Sequence, residues 1–379
     1  MSLYSGILNE ARSPWWISND DKREILKILS KPASITSWRS NHERFSPSLD
    51  RAGNRFVIRG LHARDVVASV LSIRMSGREE KRRKSEHYSG LMPSKGWPRR
   101  NLKMLREHVV PGIFRKRSGE TQSLDAQELQ ESEMRVTWIG HAGFFVEIGA
   151  RSLVIDPNWA KWLGFLKRIR EPGLHLHELP EVDLVLVSHA HHDHLDKKSL
   201  KSLQARSGVV VPRGSATLVK KLGFPAVHEM QLWDCMDFDG LEVIHTPALH
   251  WGARFLHDTH RDYGGYIVKA AGRTIYHCGD SAYFPGFAEI GEKHDIDVAL
   301  MPIGAYEAPS GRDVHMNPEE ALRAFVELGA KKLIPMHYGT FPLGNEPIDE
   351  PVQRLLAEAE RLGLSDAVIV PLEGQSILC

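Results

Sequence analysis

Within VDLVLVSHAHHDHLD, residues 182–196, the chain offers His189, His191, Asp193 and His194 inside six positions. Neutral imidazole and carboxylate oxygen are the donors that suit zinc and the neighbouring first-row cations. Histidines also occur as solvated loop residues. Here, however, they follow Leu184–Val187, a β-branched and leucine-rich run that reads as a strand buried on both faces. Four ligand-type groups crowded onto a loop that a strand anchors point to metal chemistry rather than to a polar surface.

Three further ligand-type residues follow strand-like runs. His250 comes after Leu241–Pro247 in TPALHWG, Asp280 after Arg273–His277 in CGDSAYFPGF, and His337 after Lys332–Met336 in MHYGTF. Gly279 lets the chain bend sharply before Asp280. His315 stands just before a well-specified helix start, with Asn317 as cap, Pro318 in the first helical position and Glu320 in the third, and Gly329 is its stop. Asn317 gives His315 an ordinary role too, that of steadying the loop.

The elements that must position these groups begin at Arg135. RVTWIG, GFFVEIG and RSLVIDP read as successive antiparallel strands, with Gly149–Arg151 closing a hairpin; His141 falls between the first two and Asp156 ends the third. In NWAKWLGFLKRIREPG, Trp159, Trp162, Leu163, Leu166 and Ile169 recur at helical spacing while Lys161, Lys167, Arg168 and Arg170 take the other positions. This predicts a basic amphipathic helix, packed on the core or turned toward substrate or a membrane. Short helices over Lys198–Gln204 and Ala216–Leu222 flank a strand at Gly208–Val211. Further strands are expected at Tyr263–Ala270 and Ile296–Ile303, and a final helix, Glu350–Leu362, precedes a strand at Ala367–Pro371.

A chain of 379 residues holds one large α/β domain of about 240 residues plus an extension, here residues 1–134 ahead of 135–379. The extension carries a short helix over Asp20–Leu29, an amphipathic helix over His62–Ile73 and a polar connection, Ser118–Glu133. In residues 1–120, 25 Lys and Arg stand against 12 Asp and Glu; the rest has 24 against 36. The two parts therefore carry +13 and −12, although the whole is +1. The basic part could meet an anionic membrane, nucleic acid or the acidic domain itself, but no zinc knuckle or aromatic strand motif supports nucleic acid. Cys235, Cys278 and Cys379 are too few and too scattered for a disulfide framework. With no secretory leader and no long apolar segment, the expected location is the cytoplasm, with membrane association open.

WIGHAGFFVEIG, SHAHHDHLD, PALHWG, CGDSAYFPGF, PIGAYE, HMNPEEAL and HYGTFPL together resemble the metallo-β-lactamase fold superfamily, in the branch of N-acylphosphatidylethanolamine-hydrolysing phospholipase D and its bacterial relatives. The likeness covers about Met134 to Leu372 and leaves the first 85 or so residues unmatched. It implies an α/β fold of four layers, αββα, with a basic N-terminal extension. It also implies two zinc ions, with iron or manganese as alternatives. His189, His191 and His250 would hold the first, Asp193, His194 and His337 the second, and Asp280 would bridge them. Asp156 and His141 would support the ligands from behind.

The activity so implied is hydrolysis by a water activated between two cations, Asp193 orienting that water and His315 contacting substrate or leaving group. The expected substrate is a phospholipid phosphodiester. A lactone or other carbonyl ester is the alternative on the same fold, and a non-catalytic membrane or nucleic-acid binder is a second. Trp159, Trp162, Leu163 and Leu166 are the expected substrate or membrane contacts, the remaining partner is a small molecule or phospholipid, and a homodimer is left open.

Overall fold

The computed structural model describes residues 109–379 apart from 126, 255–257 and 259, together with Arg106 and two short strands, Ser48–Leu49 and Phe56–Val57. By internal contacts the chain divides into two units, Met1–Ser89 and Gly90–Cys379. In the first unit the two short strands pair antiparallel, Ser48 opposite Val57. The helices expected at Asp20–Leu29 and His62–Ile73 lie outside the described residues.

In the second unit, hydrophobic alternation builds the first sheet. β1 (Met134–Gly140), β2 (Gly143–Ile148) and β3 (Arg151–Ile155) form an antiparallel meander. Gly149 supplies a left-handed residue, φ 55°, at the second hairpin. Phe144, Val146, Leu153 and Ile155 point to one core, while Phe145 and Val154 point to another. That is the period-two signature of a sheet buried on both faces.

The hairpin strands β4 (Trp162–Leu163) and β5 (Leu166–Lys167) stand apart from this sheet. β6 (Leu184–Leu186), β7 (Val209–Pro212) and β8 (Val227–Met230) extend it in parallel. The second sheet runs β9 (Cys235–Asp237), β10 (Glu242–Thr246), β11 (Gly265–Ala270), β12 (Arg273–His277), β13 (Val298–Pro302) and β14 (Lys332–Met336). The C-terminal β15 (Ser376–Leu378) returns to pair with β1, so the first sheet has the order β8-β7-β6-β3-β2-β1-β15 and the second follows the chain.

One apolar core fills the space between the sheets: Val136, Phe144 and Leu186 from the first meet Val268, Ile275 and Leu300 from the second. Outside the first sheet lie helices Lys197–Lys201 and Ala216–Val219, whose Leu200 and Val219 close the second core. Outside the second sheet lie Gly286–Lys293, Pro318–Leu328 and Glu350–Leu362. The four expected layers are present. The Asn317 capping box is formed, with Asn317 accepting from the Glu320 N–H and Glu320 from the Asn317 N–H, and Gly329 ends the helix at φ 63°.

The segment expected to be an amphipathic helix is instead the β4–β5 hairpin. Gly164, φ 61°, takes the first central position of its two-residue turn, where a primed turn favours glycine. Distant partners override the helical spacing. Ser118 N–H donates to the Ile169 carbonyl, and Ile169 N–H to Thr340. The buried Arg168 guanidinium donates to the carbonyls of Ile139, Asn158 and Arg170. Leu166 is buried against Val109 instead of facing outward, and Trp159 is half-buried with its indole N–H on the Leu174 carbonyl, so neither offers the open contact surface expected of them.

The strand expected at Ala367–Pro371 is reduced to one bridge, Val368 beside Leu333, because Pro371 has no N–H with which to extend a ladder. Arg168→Met tests the hairpin's anchor. It leaves three buried carbonyls without their donor, and we expect the urea midpoint to fall by the equivalent of about 2–4 kcal/mol.

Candidate metal centre

Seven of the ligand-type residues sit in loops that follow a strand, at one end of the two sheets. β6 delivers His189, His191, Asp193 and His194; β10, β12 and β14 deliver His250, Asp280 and His337. The strands end there because the loops are bonded into the surrounding structure. Arg254 donates one guanidinium nitrogen to the carbonyls of both Ala190 and Leu195, stapling the first loop across its mouth. Asn158 donates its amide to the Asp193 carbonyl at 2.7 Å, and the Asn158 carbonyl is in turn held by Arg168. Ser281 ties three loops, accepting the Leu249 N–H on its hydroxyl and the Met316 N–H on its carbonyl.

Two sets of donors converge. In the first, His189 Nε2 lies 2.8 Å from His191 Nδ1, and His250 Nε2 lies 3.2 Å from the same atom. Asp280 Oδ2 is 3.8 Å and 3.7 Å from the His189 and His250 nitrogens. In the second set, Asp193 Oδ2 is 3.6 Å from His194 Nε2 and 3.5 Å from His337 Nε2, and Asp280 Oδ2 faces the same two nitrogens at 3.2 Å and 3.0 Å. One carboxylate oxygen thus touches both sets. His141 joins the second group through Nε2, 3.0 Å from Asp193 Oδ2, and His315 lies 3.5 Å from Asp280.

The donor set fits a cation. Nε2 of His194 and of His337, and Oδ1 of Asp280, are buried without a hydrogen-bond partner even though charged and polar atoms surround them. Buried polar atoms are normally paired, and a cluster left unpaired with its lone pairs converging is what a coordination shell requires. The remaining nitrogens are fixed from behind. His250 Nδ1 faces the Val314 carbonyl, and Ser188 Oγ lies 3.0 Å from His189 Nδ1. Asp156 Oδ2 sits 2.7 Å from His194 Nδ1 and accepts the Ser188 hydroxyl, while Oδ1 accepts the Ser188 N–H. Each of these contacts turns an Nε2 toward the centre.

The electrostatics divide the imidazoles. Burial, reinforced by cationic neighbours, depresses His189 and His250 well below the ordinary histidine value, and burial takes His191 down to about 4. His141 likewise falls to about 4 through burial and the nearby His337. Burial opposes the charge on His194 too, but Asp280, Asp193 and Asp156 outweigh it and hold His194 well above the usual value; Asp280 and Asp193 raise His337 to about 9. Against burial, His194 holds both Asp193 and Asp280 well below the carboxylate range. The first set is neutral and ready to donate lone pairs, whereas in the second the carboxylates hold protons on their imidazoles.

The structure therefore brings together His189, His191, Asp193, His194, His250, Asp280, His315 and His337, with His141 and Asp156 in contact with them. Of the four proposed outer contacts, Trp162 is exposed and Leu163 half-buried. Sequence reasoning missed Arg254, Asn158 and Arg168. The available signal was local: Arg254 follows His250 by four positions, and Asn158 follows Asp156 by two, each on a loop that already carried a named residue.

Residues 151–338 match the beta-lactamase superfamily domain. A protein of Mycobacterium tuberculosis is 36% identical over 259 residues, covering 65% of this chain and 69% of its own length. A metal-dependent hydrolase of Methanopyrus kandleri is 33% identical over 247 residues, 64% of this chain and 99% of the relative. An N-acyl-phosphatidylethanolamine-hydrolyzing phospholipase D of Caenorhabditis elegans is 34% identical over 235 residues, 56% of this chain and 66% of the relative. Among solved structures, Igni18, a metallo hydrolase of Ignicoccus hospitalis, superposes with a TM-score of 0.51 at 26% identity, covering 65% of this chain and 99% of its own.

Two outcomes are expected of metal-depleted protein. A group raised above its unfolded value stabilises the fold below that value and loses the effect as pH rises through the folded one, so the His337 contribution fades between about pH 6.5 and 9, and that of His194, also raised, fades in the same direction. Metal binding must displace those protons. Calorimetry in buffers of differing ionisation enthalpy should show at least one proton released per chain near pH 7.5 and less near pH 10. Separately, Arg254→Ala should weaken metal affinity by about 10- to 100-fold in competition with a chelator, because the loop loses its staple.

Proposed function

Because the chain belongs to the metal-dependent hydrolases of the beta-lactamase superfamily, we propose that it hydrolyses phosphodiesters at a pair of metal ions, zinc before iron or manganese, acting on glycerophospholipids of the N-acylethanolamine type. The observation that carries the two-metal reading is Asp280 Oδ2, a single buried oxygen within 3.0–3.8 Å of ligand nitrogens from both donor sets. His189, His191 and His250 would hold one ion, Asp193, His194 and His337 the other, and Asp280 both. A metal pair supplies Lewis acidity and lowers the pKa of water toward neutrality. The substrate class rests on the relatives named for N-acyl-phosphatidylethanolamine hydrolysis in Caenorhabditis elegans and Saccharomyces cerevisiae.

The chain's own residues would then move protons. Asp193, held in place by His141 and by Asn158 on its carbonyl, orients the attacking water and accepts its hydrogen bond. The water oxygen bonds to phosphorus, the bond to the ethanolamine oxygen breaks, and that oxygen leaves with a proton. His315 would serve this end of the reaction. It is buried beside Asp280, its ring 5.0 Å from His250 and 5.3 Å from His337, and its Nδ1 has no partner.

Purified zinc-loaded protein should cleave N-acylphosphatidylethanolamine faster than a generic diester and leave lactones intact. Turnover of lactones alone would overturn the phosphodiester reading. His315→Ala should lower kcat by about 100-fold or more with metal content unchanged, whereas Asp280→Asn should lower both.

A further inference from the structure

Among the described residues the large exposed apolar side chains are unevenly spread. Half of those identified as exposed, namely Val110, Ile113, Phe114, Trp162 and Phe165, fall on just two elements. These are α1 (Val110–Phe114) and the β4–β5 hairpin. Phe114 is 83% and Phe165 65% exposed, values that leave almost a whole ring in water. The two elements form one unit. Lys167 Nζ donates to the carbonyls of Ile113 and Arg115, which cap the end of α1, and Val109 and Leu166 are buried between them with Leu163 and Leu343 packed alongside.

The charge on these two elements is basic, while Glu171 pairs with Arg117 and Glu346 lines the pocket next to Leu343. Arg106, Arg115, Lys116 and Lys161 are exposed, and no ion pair ties them to a carboxylate among the described residues. Residues 108–119 and 157–170 contain no Asp or Glu at all. A second copy of this domain, whose remainder is acidic, would answer the charge but not the protruding rings. A surface of anionic headgroups over acyl chains answers both, since aromatic side chains favour the interfacial zone and basic ones the headgroups. Among the described residues no helix is long and apolar enough to cross a membrane.

We propose that α1 and the β4–β5 hairpin form a docking edge for an anionic phospholipid membrane. The edge is continuous with one wall of the metal centre. Leu343, packed against it, lies two residues from Phe341, whose ring is 5.4 Å from that of His141, and Phe341, Pro342, Leu343 and Ile348 line a pocket beside His337. A lipid lifted from the bilayer would thus meet apolar surface on its way to the ligands. The proposal is compatible with lipid hydrolysis but does not depend on it, and binding can be measured without turnover.

The test is co-sedimentation of full-length, metal-loaded protein with vesicles of phosphatidylcholine alone or with about 30 mol % phosphatidylserine. Binding should require the anionic lipid and fall steeply as salt rises. Phe114→Ser with Phe165→Ser should weaken it at least tenfold, and Lys116→Glu with Lys161→Glu by more than the roughly fivefold that one basic residue contributes. Turnover of a water-soluble substrate and metal content should be unchanged in the Phe114→Ser, Phe165→Ser variant, which separates docking from catalysis. Absence of wild-type binding to anionic vesicles, or equal binding by that variant, overturns the proposal. So does a concentration-dependent dimer, detected by sedimentation, that the same variant abolishes, since it would assign the edge to a second copy.

Discussion

Asp193 and Asp280 are two carboxylates in one chamber, exposed by only 8% and 3%, and each carries its charge. Burying like charges together is among the least favourable arrangements a fold can make unless cations or protons answer them on the spot. The rest of the structure follows from meeting that condition. Seven imidazoles crowd the two carboxylates, and the same geometry that favours protons on His194 and His337 would present lone pairs to a metal that displaces them. The site is therefore stabilised in two protonation regimes by one set of side chains. Asp156, buried behind His194, extends the alternation of charge one step into the first sheet.

Holding that chamber closed requires the two sheets to be fastened at one end, and the fastening is main chain. His337 N–H donates to the His141 carbonyl, which also accepts the Trp138 indole N–H, while His141 N–H donates to Thr340 Oγ. Both histidines adopt the left-handed backbone region, φ 58° at His141 and 61° at His337. A residue with a side chain pays about 1–3 kcal/mol there, and such positions persist only when their surroundings over-determine them. Here the over-determination is visible, for changing either angle would break a bond between sheets and swing an imidazole away from Asp193. The strain buys a fixed distance between ligands carried on different sheets.

The cluster of candidate ligands was legible because each member depends on a local pattern, an apolar strand followed closely by His or Asp. The capping box at Asn317 was legible for the same reason: all its partners lie within three residues. The segment 158–170 was not. Its apolar residues recur at helical spacing, yet the chain there bonds to Ser118, Ile139 and Thr340, partners that lie far away in sequence and that no periodicity can announce. Arg168 illustrates the difficulty. Placed on the polar side of a helical projection, it is almost wholly buried and bonds only to carbonyls, so its charge said nothing about its environment. The end of the chain was misplaced similarly, since β15 is short and its pairing partner, β1, lies at the other extreme of the domain.

This difference in legibility separates the chemistry from its selectivity. The candidate metal ligands are set by strand ends and by the bonds that hold those residues from behind. The wall beside them is assembled from three remote stretches, the turn of helix near Phe114, the β4–β5 hairpin and the loop after His337, joined through Leu343, Leu166 and Val109. The exposed rings on these stretches hold no ligand in place, because the bonds that fix the loops of Asp193 and Asp280 run through Asn158, Arg254 and Ser281. The exposed rings of Phe114 and Phe165 can therefore vary while the buried carboxylates and their imidazoles remain as they are.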